Sequence, residues 1–207
     1  MPRCTEYCVP APDAPQRMFT MALATMHDLL IAELKDIYSA ETQLVKALPQ
    51  MAKGVSTPSL RKAFEDHLAQ THEQVARLDQ IFEMLGVSPR GTKCKGMEGL
   101  IAEGTEMMEE DGDDAVRDAG MIASAQRMEH YEIAAYGSTL AFATLLGHTE
   151  IAELLETTLN EEKAADELLS TIAEDEVNIA APGMEAEEVE DEDGVSEKPR
   201  KPASDLM

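Results

Sequence analysis

The feature of this sequence that most restricts its fold is a helical repeat of apolar residues, which runs with few interruptions through about 160 residues. No window shows the alternation of β-branched and polar residues that indicates a strand. The repeat predicts four long helices, over about 24–52, 58–86, 115–146 and 149–175. We therefore expect an all-α protein.

The connection between the second and third long helices is too long for a simple hairpin. Residues 87–99 include one proline and three glycines, which predicts an irregular segment, and a short helix is expected at about 100–110. Two long helices, a crossover with a short extra helix, and two more long helices are typical of a ferritin-like four-helix bundle. Simple up-down and cytokine-like bundles remain alternatives on connectivity alone.

The two ends of the chain differ in composition from this central region. Residues 1–20 contain four prolines and no repeat, so we expect a disordered leader. Seven of the ten residues in 184–193 are acidic, which favours a disordered tail over 181–207. The bundle should then occupy residues 21–180.

The charge of the chain excludes several classes of function. It has 17 basic and 41 acidic residues, a formal net charge of −24, whereas binding to nucleic acid or to an anionic membrane surface requires clustered basic residues. No stretch reaches the roughly 18 apolar residues that a membrane-spanning helix needs. Three cysteines cannot form a closed set of disulfides, and no secretory signal is visible, so we expect a cytoplasmic protein.

Acidic residues interrupt the apolar stripe of three of the long helices near the middle of their length. Glu41 lies between Ile37 and Leu44 at steps of four and three. Glu129 and Glu132 are three residues apart on the third long helix, and Glu162 and Asp166 are four apart on the fourth.

The second long helix supplies an imidazole to the same level of the predicted bundle. Its inward stripe contains His67, Gln70 and Gln74 at steps of three and four. Buried carboxylates are costly unless they meet a cation or a proton. Oxygen-rich sites with a little imidazole suit iron or manganese. The alternative is that these glutamates lie at helix edges in water, because acidic residues are so common in this chain.

Five segments also carry a resemblance to a known family. They read DIYSAETQL, HLAQTH, KCKGMEGLI, MEHYEIAAYG and EEKAAD, over residues 36–44, 67–72, 93–101, 128–137 and 161–166. In this order they resemble the YciE/YciF group of ferritin-like, stress-associated bacterial proteins, over about residues 26–180.

The resemblance implies a ferritin-like bundle, often dimeric, with a centre of two iron or manganese ions and a role in the stress response. The positions that match the family's ligands are Glu41, His67, Glu129, Glu132, Glu162 and Asp166. The family usually has glutamate where this chain has Gln70, which can coordinate through its carbonyl oxygen but brings no charge. The resemblance therefore implies a weaker second metal, with Glu73 as an imperfect substitute.

Three hypotheses of function follow from the sequence. The first is a two-metal protein that handles iron or reacts with oxygen or peroxide. The second is a stress scaffold, with or without metal, that acts through protein partners. The third is a purely structural bundle. We also expect a homodimer along the first two helices, because the second carries an apolar stripe wider than one face needs.

Overall fold

The structure, a computed structural model, describes residues 23–183. Its helices are α1 (Met26–Gly54), α2 (Pro58–Leu85), α3 (Lys95–Glu109), α4 (Asp114–Leu145) and α5 (Thr149–Ile172). A π-helical turn (Ala173–Val177) and α6 (Asn178–Ala180) follow α5. The described residues contain no strand. The predicted leader, and the predicted tail beyond residue 183, lie outside them.

The four long helices form two antiparallel hairpins, α1 with α2 and α4 with α5. The hairpins pack through α1 against α4 and through α2 against α5, while α3 covers α1 and α4. The crossover that contains α3 carries the chain from the end of α2 back to the opposite end of the bundle. This arrangement confirms the predicted ferritin-like, all-α fold with a short extra helix in the long connection.

The ends of the helices follow from local sequence. Thr25 begins α1 with a capping box, in which its hydroxyl accepts from the Asp28 backbone and the Asp28 side chain accepts from the Thr25 backbone. Gly86, which follows α2, has φ +65°, and Gly147, which follows α4, has φ +77°. These left-handed conformations favour glycine.

The short helix α3 begins about five residues earlier than predicted, at Lys95 instead of near residue 100. Gly96 was predicted to lie in an irregular segment. In the structure this glycine lies inside the helix, and a Cβ there would be 2.7 Å from Cε2 of Tyr131. The glycine permits close packing of α3 on α4 and does not end a helix.

The core of the bundle is divided into two apolar clusters with polar residues between them. The first cluster, at the end where α1 finishes, includes Leu44, Leu48, Leu60, Phe64, Met121, Met128, Leu169 and Ile172. The second, at the opposite end, includes Leu30, Leu34, Leu78, Phe82, Tyr136, Ala143, Ile151 and Leu155. On each long helix the predicted polar positions fall between the residues of one cluster and those of the other, so the bundle has a polar middle layer.

Asp118 of α4 fixes the loop between α1 and α2. Its buried carboxylate accepts hydrogen bonds from the backbone N–H of Ser56, at 3.1 Å, and of Thr57, at 2.7 Å. Thr57 is the residue before α2, and its own side chain makes no capping hydrogen bond. The carboxylate therefore holds the two residues that precede α2 from a distant part of the chain.

We expect Asp118→Ala to lower the free energy of unfolding by about 2–4 kcal/mol, because hydrogen bonds to a charged acceptor are lost and N–H groups are left buried. Urea denaturation followed by circular dichroism measures this change. The matched control is Asp66→Ala, whose exposed pair with Lys62 is worth at most about 0.5 kcal/mol. If the two substitutions have equal effects, Asp118 does not stabilise the loop before α2.

Most residues of the apolar stripe of α2 pack against other helices of the same chain. Leu60, Phe64 and Leu78 are buried in the two clusters, whereas Leu68 and Val75 are only partly buried. The homodimer stays a prediction, which light scattering tests at about tens of micromolar chain; a monomer would contradict it.

None of the helices between residues 23 and 183 combines the length and apolar character needed to cross a bilayer.

Candidate metal centre

Four predicted site residues converge in the polar middle layer. His67 of α2, Glu129 and Glu132 of α4, and Glu162 of α5 each offer a ligand atom, and these atoms all lie within 4.8 Å of one another. His67 Nε2 is 3.5 Å from Glu129 Oε1 and 3.8 Å from Glu162 Oε2. All four residues are buried. The helical spacing of three residues places Glu129 and Glu132 on the same face of α4, as the sequence indicated.

Glu41 of α1 is buried beside this group. The Tyr136 hydroxyl of α4 donates a hydrogen bond to Glu41 Oε1, and both side chains are almost fully inaccessible. Tyr136 therefore packs in the core and also holds one oxygen of a carboxylate. The second oxygen, Glu41 Oε2, has no hydrogen-bond partner.

Several buried oxygens of the centre are without a hydrogen-bond partner. Besides Glu41 Oε2, they are Glu129 Oε2, Glu162 Oε2 and both oxygens of Glu132. Buried polar groups in folded proteins are normally paired, and leaving one unpaired costs about 1–3 kcal/mol. Glu129, Glu132 and Glu162 belong to the group whose ligand atoms lie within 4.8 Å of one another, and clustered carboxylate oxygens are the donors that a bound iron or manganese ion requires.

The surroundings of these carboxylates oppose their ionisation. Burial raises the pKa of Glu129 to about 8, and the charges of Glu41 and Asp166 add to this. Burial, followed by the charge of Glu162, raises the pKa of Glu41 well above its ordinary value. Burial likewise raises the pKa of Glu132 and of Glu162, with neighbouring glutamates adding to the shift. In the absence of a cation the centre therefore holds protons at neutral pH.

A series of side-chain hydrogen bonds, which was not predicted from the sequence, holds Glu162 in position. The Gln74 side-chain amide of α2 donates to Glu162 Oε1 and, at 3.2 Å, to Glu161 Oε2. Arg77 in turn donates to both oxygens of Glu161 and to Thr158 Oγ1. Gln74 is buried, and its own carbonyl oxygen has no partner. The helical spacing placed Gln74 on the inward stripe with His67, but it did not predict the contact of Gln74 with Glu162.

Besides Glu41, two of the predicted ligands lie outside the group of four. Gln70 is partly exposed and lies on the wall of a cavity that opens beside His67. Asp166 is partly exposed, and its oxygens contact Gln126 Nε2 at 3.1 Å and His130 Nε2 at 3.3 Å. One helical turn beyond Glu162, Asp166 is still close enough for its charge to raise the pKa of Glu129.

The residues present fit a pair of divalent cations in number and in chemistry. The four buried glutamates, Glu41, Glu129, Glu132 and Glu162, would carry four negative charges when ionised, which two divalent ions balance. Arg77, the basic side chain that acts on Glu41, is already paired with Glu161. Four carboxylates with one imidazole suit iron or manganese better than a soft metal that requires thiolates.

Comparison with known proteins agrees with this fold and identifies the family to which the chain belongs. The family model described as "Domain of unknown function (DUF892)" matches residues 25–182. The chain belongs to the DUF892 family. Protein YciF of Escherichia coli (strain K12) is 45% identical over 162 residues, which cover 78% of this chain and 98% of YciF. The resemblance to the YciE/YciF group is thereby confirmed.

Solved structures that are similar to this chain have the same fold. The crystal structure of the E. coli stress protein YciF has a TM-score of 0.73 with this chain, over 75% of this chain and 98% of YciF. YcfI from Rhodopseudomonas palustris has a TM-score of 0.72 at 46% identity, over 75% and 99% of the two chains. A ferritin-like, diiron-carboxylate protein from Bacillus anthracis str. Ames has a TM-score of 0.57 at 19% identity, over 72% and 98%. The fold and the buried His/Glu group are compatible with a site of the diiron type.

Proposed function

We propose that this DUF892 protein is a two-metal carboxylate protein of the bacterial cytoplasm that binds two iron or manganese ions and takes part in the stress response. The observation that carries the proposal is the group of buried glutamates around His67, five of whose oxygens lack a hydrogen-bond partner. The stress role is supported by the 45% identity with YciF, which is described as a stress protein. The choice of two ions is supported by the fold shared with a diiron-carboxylate protein.

The side chains of this centre divide into ligands and groups that position them. Glu41, His67, Glu129, Glu132 and Glu162 would hold the ions. Two iron or manganese ions held close together supply redox chemistry toward oxygen or peroxide, which suits iron handling or removal of an oxidant. The Tyr136 hydroxyl fixes Glu41, and Gln74 fixes Glu162, so one oxygen of each carboxylate would remain available to an ion.

Iron loading tests the proposal directly. The full chain is freed of metal, incubated with Fe²⁺ in air, separated by gel filtration and analysed for iron per chain, while oxygen or peroxide consumption is followed. We expect about two iron ions per chain, in line with two-metal sites of this kind. Substitution of the exposed Glu153 by alanine is the control. A chain that retains no iron would refute the proposal.

The scaffold hypothesis is the second candidate, and the position of Gln70 favours it. This neutral, partly exposed side chain leaves the centre without the extra carboxylate that the family usually has. A scaffold would retain metal without consuming oxygen or peroxide, or would retain none and still bind protein partners. The loading experiment separates these outcomes from the redox function.

We expect Gln70→Glu to tighten the weaker of the two ions about tenfold, because one more carboxylate at the cavity wall contributes roughly 1.4 kcal/mol of attraction. Isothermal titration of the apo chain with Mn²⁺ measures this change. Gln80→Glu adds the same charge at an exposed position of α2 and is the matched control. If both variants tighten binding equally, the gain is a general effect of charge and Gln70 does not contribute to the site.

A further inference from the structure

A cavity of about 420 Å³ connects the surface of the bundle with the candidate metal centre. It lies between α2 and α5 and will be called the α2–α5 cleft. Its walls are Ala63, Phe64, Ala69, Ala164, Ala165, Leu168 and Leu169, with the polar residues Asp66, His67, Gln70, Glu73, Glu129 and Glu161. The cleft thus includes two members of the buried group, His67 and Glu129.

The exposure of the buried group agrees with an opening on this side. His67 is 7% exposed and Glu129 is 5% exposed. Glu41, Glu132 and Glu162 are at most 1% exposed. His67 Nδ1 and Glu129 Oε2 are also buried without a hydrogen-bond partner. His67 and Glu129 therefore line the cleft and are the most accessible members of the buried group.

The electrostatics of the cleft favour a cation. Asp66 and Glu73 are exposed carboxylates of α2 at its mouth, and the chain has a net charge of −24. A cleft lined with one sign of charge raises the local concentration of opposite ions. The facing wall on α5 carries the small side chains Ala164 and Ala165, which keep the space open.

A second cavity in the described part of the bundle does not reach the centre. Its volume is about 400 Å³, and it lies between α1 and α2 beside Pro49, Lys53 and Arg61. None of the buried glutamates and no part of His67 contributes to its walls. Its two basic side chains would also repel a metal ion.

We propose that divalent metal ions reach the buried glutamates through the α2–α5 cleft, and that His67 and Glu129 are the first residues of the centre to bind them. This inference rests on the proposed function. At roughly 30 Å³ per water, the volume of the cleft corresponds to about a dozen water molecules. A cation can therefore enter with its hydration shell and exchange that shell for protein ligands at the inner end.

Blocking the cleft is the first test. Apo protein is mixed with Co²⁺ in a stopped-flow instrument, and the visible absorbance of bound Co²⁺ gives the loading rate. We expect Ala165→Phe to slow loading at least tenfold with unchanged Co²⁺ per chain at equilibrium, because the ring fills the passage and leaves the ligands in place. Ala102→Phe adds the same ring on an exposed position of α3 and should load at the wild-type rate.

The second test adds a positive charge at the mouth of the α2–α5 cleft, at an exposed position where the fold tolerates a substitution. Leu168 lines the cleft and is 47% exposed. We expect Leu168→Lys to load several-fold more slowly than Leu168→Gln, which adds a long side chain without charge. The difference should shrink at high ionic strength, because salt screens charges near the surface.

The outcomes separate the access route from the function of the centre. If wild-type protein binds no Co²⁺, both proposals are overturned. If wild-type protein binds Co²⁺ while Ala165→Phe and Leu168→Lys load at the wild-type rate, only the route is overturned. If Ala165→Phe does not fold, the comparison of Leu168→Lys with Leu168→Gln decides.

Discussion

Saturating Fe²⁺ or Mn²⁺, at a thousand times the dissociation constant, should raise the melting temperature by about 10 °C, because ligand binding to the folded state alone contributes about 4 kcal/mol there. Glu132→Leu should remove most of this gain, since both oxygens of Glu132 are buried and available to a cation. The same substitution should stabilise the apo protein by about 1–3 kcal/mol, because leucine fills the space without a carboxylate to neutralise. Calorimetry with and without metal measures both effects.

The control for this prediction is Glu153→Leu, which removes a carboxylate from an exposed position of α5. It should leave both the apo stability and the metal-dependent gain close to those of the wild type. If Glu132→Leu keeps the full gain and binds as much metal as the wild type, Glu132 is not a ligand. The scaffold hypothesis would then be the better one.

The apo protein should lose about 2–4 kcal/mol of its free energy of unfolding between pH 5 and pH 8. Burial raises the pKa of Glu129 to about 8, from an ordinary value of 4.5. The folded apo protein therefore holds more protons than the unfolded chain between these values. This contribution to stability is fully present below pH 4.5 and is lost as the pH rises toward 8. Urea denaturation across this range measures the slope.

Glu129→Gln should reduce this pH dependence, because the amide does not titrate while Glu41, Glu132 and Glu162 still do. Glu167→Gln at an exposed position of α5 should leave it unchanged. Metal should reverse the trend, since protons and cations compete for the same oxygens. The melting-temperature gain from Mn²⁺ should therefore grow as the pH rises. An apo protein whose stability increases steadily from pH 5 to pH 8 would contradict a buried, protonated centre.

The fold could be predicted almost completely from the sequence, because the apolar repeat of each long helix is also the surface by which it packs. The exception was the start of α3, where Gly96 suggested an irregular segment. Glycine in a sequence has two physical meanings, a break in a helix or a close approach of two helices. Only the position of Tyr131 against Gly96 distinguishes them.

Part of the candidate site could also be predicted, and the limit has a physical cause. Glu41, Glu129, Glu132 and Glu162 fall within an apolar stripe, so their burial follows from helical geometry. Gln70 lies at the boundary between the inward and outward faces of α2. The rotation of α2 about its own axis therefore decides whether the Gln70 side chain reaches the metal centre. The contact of Gln74 with Glu162 depends on the relative axial shift of two helices that are distant in sequence.

The separation of the two apolar clusters by a polar middle layer means that the ends of this bundle can be redesigned independently. Substitutions at Leu34 in one cluster and at Leu48 in the other share no direct contact partners in the apolar core. Their effects on stability should therefore add, as is usual for sites without common neighbours. A more heat-resistant variant can be assembled from separately selected ends, with the glutamates between them left untouched.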